Sequence, residues 1–201
     1  ICNREGIGEL AGRGVKALAA KIGQGSDDFA IHVKGHELAA WNVPVHSEWW
    51  SVTYATSNRG ACHMNGGTPE AQDDLALRDS VAACSFARSW YRDEGAYNHF
   101  LSAITGMEWT EQQFRQAGSR IFTLEKMFNY REGFRRADDV IPEKFFQHAF
   151  QYGDHKGAIV DRDAFVGYMD AYYHKRGWDP VTSRPSDQVL TELGLEFTLS
   201  V

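Results

Sequence analysis

The sequence predicts a mainly α-helical protein, an irregular multi-helix domain that spans residues 1–201 and carries an irregular polar loop on one side. In several segments apolar residues recur at alternating spacings of three and four, the pattern of one face of a helix. One short segment, Phe29–Gly35, alternates between apolar and polar residues as a strand does. Residues 36–67 are rich in aromatic residues and glycine with weak periodicity, which predicts irregular structure.

The first helix is predicted from Gly6 to Gly23, because glycine at the end of a periodic segment stops a helix. Phe29–Gly35 is expected to form a short strand or an extended connector. A second helical pattern begins at about Leu75. Its expected core-facing residues are Leu77, Val81 and Cys84, which fall on one face, followed by Phe86 and Trp90.

Thr110 begins the clearest helix, because Gln113 follows three residues later and completes a capping box. Its apolar stripe is Phe114, Ala117, Ile121, Leu124 and Phe128. After the turn-like ADDVIPEKF, Asp161 and Asp163 precede another helix, whose apolar positions are Phe165, Tyr168, Met169 and Tyr172. A last short helix is predicted from near Pro185 to near Gly194.

The composition is that of an ordinary globular protein: 43% of the 201 residues are hydrophobic and 24% are charged. The net charge of −6 without a basic stripe argues against duplex nucleic acid as a partner. No run of about 18 apolar residues occurs, so the sequence predicts no membrane-spanning helix.

Three cysteines, at positions 2, 62 and 84, are an odd number without C-x-x-C spacing. This pattern argues against a disulfide framework and favours a reducing, cytoplasmic compartment. Three scattered thiolates cannot complete a four-thiolate metal site, so any cysteine that ligates metal needs ligands from outside this chain. The sequence begins at Ile1 without an initiator methionine or a signal peptide, and we expect it to be a piece of a longer polypeptide.

The predicted polar loop is ATSNRGACHMNGG, residues 55–67. Adjacent side chains point in different directions, so we expect Cys62 to pack inward and His63 to face a cleft, where an imidazole can donate or accept a proton. Asn58 and Arg59 are candidates for binding an anion, because a guanidinium suits carboxylate or phosphate. A salt bridge from Arg59 to an acidic residue of the chain is the alternative.

The segment from Asp79 to Cys84 follows this loop. Asp79 is expected at the start of a helix, where a carboxylate both caps the helix and suits its dipole. Cys84 is then expected near the core face, where an inert buried thiol is the default. Each feature is ordinary alone, and the order of polar loop followed by Asp-x-x-x-x-Cys is distinctive.

Six segments in this order resemble the tungsten-dependent aldehyde:ferredoxin oxidoreductases: REGIGELAGRGVKALAAKIG, HVKGHEL, YATSNRGACH, TGMEWTEQQFRQAGSRIFTLEKMFNYREGFRRADDVIP, AYYHKRGWDP and LTELGL. The resemblance covers nearly the whole chain and implies the helical C-terminal part of such an oxidoreductase. It also implies a tungsten (or molybdenum) bis-pyranopterin and a [4Fe-4S] cluster, both shared with upstream domains. The implied reaction oxidises an aldehyde to a carboxylic acid and passes electrons to ferredoxin.

The resemblance also implies roles for individual residues. Cys84 matches a cysteine that ligates the cluster, and Asp79 matches an aspartate that hydrogen-bonds a pterin. His63 matches a histidine near the metal, which makes it the catalytic candidate. Asn58, Arg59 and Ala83 complete the expected cofactor-binding set.

Several positions depart from the family pattern. Ala82 and Ala83 stand where the family has Gly-Leu, Asn65 stands where a basic residue is usual, and WNVPVHSEWWSV lacks a Pro-Arg-Gly loop. These departures leave two alternatives open: a benzoyl-CoA-reductase-type subunit with another substrate, or a cofactor-free paralogue that acts as a scaffold. In every case the isolated chain is expected to be inactive, and a homodimer is compatible with these expectations.

Overall fold

The computed structural model describes residues 1–39, 48–65, 67–82, 84, 86 and 96–201. Within these ranges the chain forms nine α-helices and one two-stranded hairpin, which confirms the mainly helical fold class. The helices are α1 (Ile7–Ala11), α2 (Val15–Ile22), α3 (Glu48–Thr56), α4 (Pro69–Ser80), α5 (Ala96–Thr105), α6 (Glu111–Arg131), α7 (Lys144–Gln147), α8 (Arg162–Arg176) and α9 (Asp187–Glu192). The strands are β1 (His32–Val33) and β2 (His36–Glu37). None of the helices in these ranges is both long and apolar enough to cross a bilayer.

The predicted helix from Gly6 to Gly23 is two helices. Gly14 between them has φ 91°, which a helix cannot accommodate, and Gly23 ends α2 as predicted with φ 65°. Glu37 supplies the missing cap, because its Oε1 accepts a hydrogen bond of 2.8 Å from the backbone N–H of Val15. This hydrogen bond lowers the pKa of Glu37. The second helix is therefore fastened to the hairpin.

The strand predicted in Phe29–Gly35 is confirmed as β1, which pairs antiparallel with β2 in the register His32↔Glu37. Lys34 and Gly35 form the two-residue turn with φ values of 53° and 86°. Two positive φ values are what a type I′ turn requires, and this turn matches the twist of the strands.

Two predictions for the middle of the chain are wrong. Residues 36–67 contain helix α3, which is buried from Ser51 to Thr56 and so presents no amphipathic period. The helix expected from about Leu75 to Trp90 begins at Pro69, where the Thr68 side chain caps it, and ends at Ser80. Trp90 lies outside the described residues, as do residues 41–47 of the WNVPVHSEWWSV stretch.

The predictions for the C-terminal half are confirmed more closely. Thr110 and Gln113 form the expected capping box at the start of α6. Asp161 caps α8 by accepting a 2.8 Å hydrogen bond from Ala164 N–H. Ser186 caps α9, one residue after Pro185. The predicted stripe of α6 is only partly buried, because Leu124 and Phe128 are exposed and the buried positions are Phe114, Gly118, Phe122, Thr123, Lys126 and Met127.

The main core lies between α3, α6, α8 and the residues that follow α8. It consists of Val33, Val52, Tyr54, Ala55, Ala61, Ala76, Phe122, Ile141, Val160, Phe165, Met169, Tyr172, Tyr173 and Trp178. A smaller cluster, Leu77, Tyr97 and Phe114, packs α4 and α5 on the start of α6. Burial of this apolar surface contributes most of the favourable free energy that holds the helices together.

Helices α4 and α6 touch backbone to backbone at Gly118. A Cβ atom at this position would lie 2.2 Å from the carbonyl oxygen of Asp73, far inside van der Waals contact. No L-side chain fits without moving one helix, so this glycine sets the distance between α4 and α6.

Arg176 links α8 to α4 within the core. Its guanidinium lies 2.5 Å from Asp73 Oδ1 and donates to Gln72 Oε1 (2.8 Å) and to the carbonyl of Pro69 (2.9 Å). Gln72 in turn accepts a 2.6 Å hydrogen bond from Tyr172 and donates to Thr56 Oγ1 (3.0 Å) at the end of α3. One buried polar network therefore joins three helices.

A second buried network is centred on Asp139, which is 1% exposed. Lys126 Nζ donates to its Oδ2 at 2.8 Å, and Tyr173 donates to the same oxygen at 2.5 Å. Lys34 Nζ lies 2.8 Å from Oδ1 and also donates to the carbonyl oxygen of Ala55 at 2.5 Å. We call Lys34, Lys126, Asp139 and Tyr173 the Asp139 cluster.

Burial alone raises the pKa of a carboxyl group, but the ammonium groups of Lys34 and Lys126 lower the pKa of Asp139 overall. The same burial lowers the pKa of Lys126, although the Asp139 carboxylate opposes this shift. A carboxyl whose pKa is lower in the folded state contributes stability above its unfolded value, and that stability is lost as the pH falls.

Asp139→Asn is expected to destabilise the chain by roughly 3–5 kcal/mol, because it leaves two buried ammonium groups without a counter-ion. Denaturant unfolding at neutral pH measures the loss. The variant should also lose the part of the wild-type acid sensitivity that sets in as the pH falls below the unfolded value of 3.8. Asp163→Asn, at an exposed carboxylate in the first turn of α8, is the matched control and should stay close to wild type. Equal stability of the two variants would contradict the assignment.

Gly118→Ala is expected to destabilise the chain by about 2 kcal/mol or more, because overpacking forces α4 and α6 apart. The control is Gly167→Ala in α8, where a Cβ meets nothing within 4 Å. There alanine should stabilise the helix by about 0.5–1 kcal/mol. Thermal unfolding of both variants measures the difference, and two shifts of the same sign would refute the proposed close approach.

Candidate functional site

The predicted polar loop begins where α3 ends, at Thr56. Asn58 fastens it to α6: its Nδ2 donates to the carbonyl oxygen of Phe122 (3.0 Å) and to Glu125 Oε2 (3.2 Å), and its own carbonyl accepts from Asn129 Nδ2 (2.8 Å). The Asn58 side chain is therefore engaged by the fold. Its predicted contact with a cofactor stays a prediction.

The other side of the loop rests on the hairpin. Gly60 has φ 86°, and a Cβ there would lie 2.5 Å from the carbonyl oxygen of Val33 and 2.8 Å from His36 Cβ. Lys34 donates to the carbonyl oxygen of Ser57 (3.2 Å) as well as to that of Ala55, and so caps the C-terminal end of α3. Residues 57–60 of the loop are therefore held between the hairpin and α6.

Arg59 lies between these two attachments. Its backbone N–H donates to Ser57 Oγ at 3.3 Å, and its Nη2 donates to Oδ2 of Asp79. The two side chains are 50% and 39% exposed. Partial burial lowers the pKa of Arg59, but the Asp79 carboxylate outweighs this effect and the pKa is raised overall. The salt bridge from Arg59 to an acidic residue, predicted from the sequence as the alternative to anion binding, is present.

Asp79 occupies a different position from the predicted one. It is the second-last residue of α4 and not the cap of a following helix. The C-terminal end of a helix carries a partial negative charge, so a carboxylate there is unfavourable unless a cation compensates it. Arg59 supplies that cation. Among the described contacts of the Asp79 carboxylate this ion pair is the one hydrogen bond, and it engages a single oxygen.

Cys84 lies beyond the end of α4 and is exposed. The alternative of an inert thiol in the core is therefore wrong, because α4 has ended four residues earlier. Ala82 between them is exposed and has φ 57°, in the left-handed region where glycine is favoured. Ala83 lies outside the described residues.

Cys62 and His63 lie at the end of the loop, and both are partly buried. His63 begins a 3₁₀ turn, His63–Asn65, which packs against α3 and α4. Burial raises the pKa of Tyr54 on α3, and the proximity of Cys62 raises it further. Cys62 therefore lies near α3, and its predicted inward packing opposite His63 stays a prediction.

The chemistry of Cys84 and Asp79 fits the cluster and the pterin that the resemblance implies. Cys84 offers an exposed thiol, and Asp79 offers one carboxylate oxygen that receives no hydrogen bond from the described residues. No group of three or more His, Cys, Asp or Glu side chains that could hold a metal ion occurs in the described ranges.

Lys34 and Glu125 were missed by the sequence analysis. Lys34 is signalled only by the Lys-Gly turn of HVKGHEL, which gives no hint that its ammonium reaches α3 and Asp139. Glu125 is one of the two acidic residues of α6, and its position beside Asn58 depends on a contact across 67 residues.

A family profile described as "Aldehyde ferredoxin oxidoreductase, domains 2 & 3" matches residues 1–195. The chain belongs to the aldehyde ferredoxin oxidoreductase family. This confirms the resemblance found in the sequence. The organisation of residues 1–201 as one helical domain stays a prediction.

Relatives and solved structures agree with the family. The tungsten-containing aldehyde ferredoxin oxidoreductase of Pyrococcus furiosus is 29% identical over 97% of this chain, and that of Pyrococcus horikoshii is 28% identical over 98%. The chain spans 35% of the length of each. The active-site complex BamBC of benzoyl coenzyme A reductase with 1,5-dienoyl-CoA superposes with a TM-score of 0.76 at 18% identity, over 98% of this chain and 37% of that one. At this identity the likeness shows a shared fold.

Ala82→Gly is expected to stabilise the chain by about 1 kcal/mol, because glycine adopts a left-handed conformation without a Cβ clash. Thermal unfolding measures the shift. The control is Ala103→Gly on the exposed face of α5, where glycine should instead cost about 1 kcal/mol. Destabilisation by Ala82→Gly would mean that residue 82 does not hold the left-handed conformation.

Proposed function

We propose that this chain is the C-terminal part of an enzyme that oxidises aldehydes to carboxylic acids and passes the electrons through a [4Fe-4S] cluster to ferredoxin. The family match over residues 1–195 carries the proposal. The reaction consumes water and releases two protons and two electrons for each aldehyde oxidised. The isolated chain is expected to show no turnover, since the rest of the cluster ligands and of the pterin site would come from other parts of the polypeptide.

The cofactors of the proposed enzyme are a tungsten (or molybdenum) bis-pyranopterin and the cluster. The names of the relatives in Pyrococcus furiosus and Pyrococcus horikoshii favour tungsten. The bound metal would supply the redox chemistry, and the protein would position the group and tune its surroundings.

Three residues of this chain carry the proposed roles. Cys84 would bind iron through its thiolate, the usual cluster ligand, and its exposure suits a ligand shared with another domain. Asp79 would accept hydrogen bonds from pterin N–H groups with the oxygen that Arg59 leaves open. His63 would hold or release a proton at a ring nitrogen beside the substrate. Asn58, Arg59 and Ala83 would complete the cofactor-binding surface.

Two other functions remain as competing proposals. A benzoyl-CoA-reductase-type subunit is favoured by the shared fold with the BamBC complex. A cofactor-free scaffold is favoured by Ala82, which keeps a left-handed backbone without the glycine that such a conformation prefers. Aldehyde substrate, ferredoxin, a homodimer and a cytoplasmic location belong to the first proposal and await test.

The decisive experiment uses the full-length parent protein, purified without air. Elemental analysis should find about four irons for each tungsten or molybdenum ion. Cys84→Ser is expected to lose most of this iron, because a serine hydroxyl ligates iron poorly at neutral pH. Cys2→Ser is the matched control, since Cys2 is also exposed and has no assigned role.

Full iron content in the Cys84→Ser protein would refute the assignment of Cys84 as a ligand. A well-folded wild-type protein without iron, tungsten or molybdenum would favour the scaffold. Metal-containing protein that reduces an aromatic acyl-CoA and leaves aldehydes unoxidised would favour the second function.

A further inference from the structure

We propose that Arg59 is a positioning residue of the cofactor site and acts through Asp79. Its guanidinium holds one oxygen of the Asp79 carboxylate and leaves the other to accept an N–H group of a bound pterin. This inference rests on the proposed function of Asp79. The expected role of Arg59 then changes from direct contact with the cofactor to orientation of the Asp79 carboxylate that binds it.

Asp79 needs a cation because it lies in the last turn of α4, where the helix dipole disfavours negative charge. Arg78, the basic residue of that turn, is already engaged. Its Nε donates to Asp74 Oδ1 at 3.0 Å, and its guanidinium lies 4.6 Å from the ring centroid of Tyr97. Among the described residues, the cation that reaches Asp79 therefore comes from the polar loop, 20 residues earlier in the chain.

The loop presents Arg59 in a fixed place. Asn58 is hydrogen-bonded to α6 in both directions, and Gly60 packs on the backbone of β1 with no room for a side chain. Ser57 accepts the backbone N–H of Arg59 between them. An exposed ion pair loses much of its energy to the cost of ordering the groups that form it. A backbone fixed on both sides of Arg59 removes the backbone part of that cost.

The chemistry of the Arg59–Asp79 pair allows Arg59 to orient the Asp79 carboxylate. A guanidinium is planar and directs its N–H groups, whereas an ammonium is a point charge that a carboxylate can approach from many directions. A carboxylate has about four lone-pair sites, so one bond from Arg59 leaves acceptor capacity for a pterin. A guanidinium is not deprotonated in proteins, so Arg59 keeps its charge.

The test measures pterin retained by the full-length protein, as fluorescence of the extracted and oxidised pterin for each polypeptide. Arg59→Gln is expected to lower it about 10-fold or more, the usual effect of removing a group that orients a ligand. Arg59→Lys keeps the charge without the planar fork and is expected to fall several-fold. The control Arg78→Gln should retain wild-type pterin. Thermal unfolding of the pterin-free proteins separates this effect from a loss of folding.

Wild-type pterin content in Arg59→Gln or in Arg59→Lys would overturn the inference. The Asp79→Asn variant distinguishes failure of the inference about Arg59 from failure of the proposed function. Pterin loss in Asp79→Asn but not in the Arg59 variants would leave Asp79 as a pterin ligand without help from Arg59. No loss in Asp79→Asn would refute the role of Asp79 itself. If Arg59 acts through Asp79, the double variant Arg59→Gln/Asp79→Asn should lose no more than Asp79→Asn alone.

Discussion

The attraction between one buried carboxylate and two buried ammonium groups is the interaction on which the rest of the structure depends. Asp139 brings together the hairpin through Lys34, helix α6 through Lys126 and helix α8 through Tyr173. Removing charges from water is costly, and the low dielectric of the interior repays this only when the geometry is good. Such a cluster therefore ties these elements to one arrangement more strictly than apolar packing does.

The Asp139 cluster also holds the candidate site in place. The same ammonium of Lys34 that meets Asp139 also binds the carbonyl groups of Ala55 and Ser57, so the end of α3 and the start of the polar loop are fixed by a charge in the core. Asn58 and Gly60 then attach the loop to α6 and to the hairpin. The exposed pair of Arg59 and Asp79 is thus supported by interactions that are themselves buried.

The sequence predicted those parts of the fold that depend on neighbouring residues. The capping box at Thr110, the cap at Asp161 and the stop at Gly23 are local, and all three are present. It failed at α3, which is buried on all sides and has no period to detect, and at Asp79, whose place at the end of α4 follows from the cap at Thr68. Residue chemistry made His63, Asn58 and Arg59 candidates, and the family resemblance added roles for Asp79 and Cys84. Spacing along the chain could not show that Arg59 and Asp79 meet.

The network of Arg176 has a consequence for the order in which the chain becomes structured during synthesis. Arg176 contacts Asp73 across 103 residues, and Tyr172 contacts Gln72 across 100. A ribosome adds about 5–20 residues per second, so α4 leaves the exit tunnel roughly 5–20 s before its partner on α8 does. During that interval Asp73 and Gln72 lack their partners Arg176 and Tyr172. Nascent α4 therefore emerges without the contacts that α8 makes in the folded chain. A chaperone that binds nascent chains would contact α4 before α8 does.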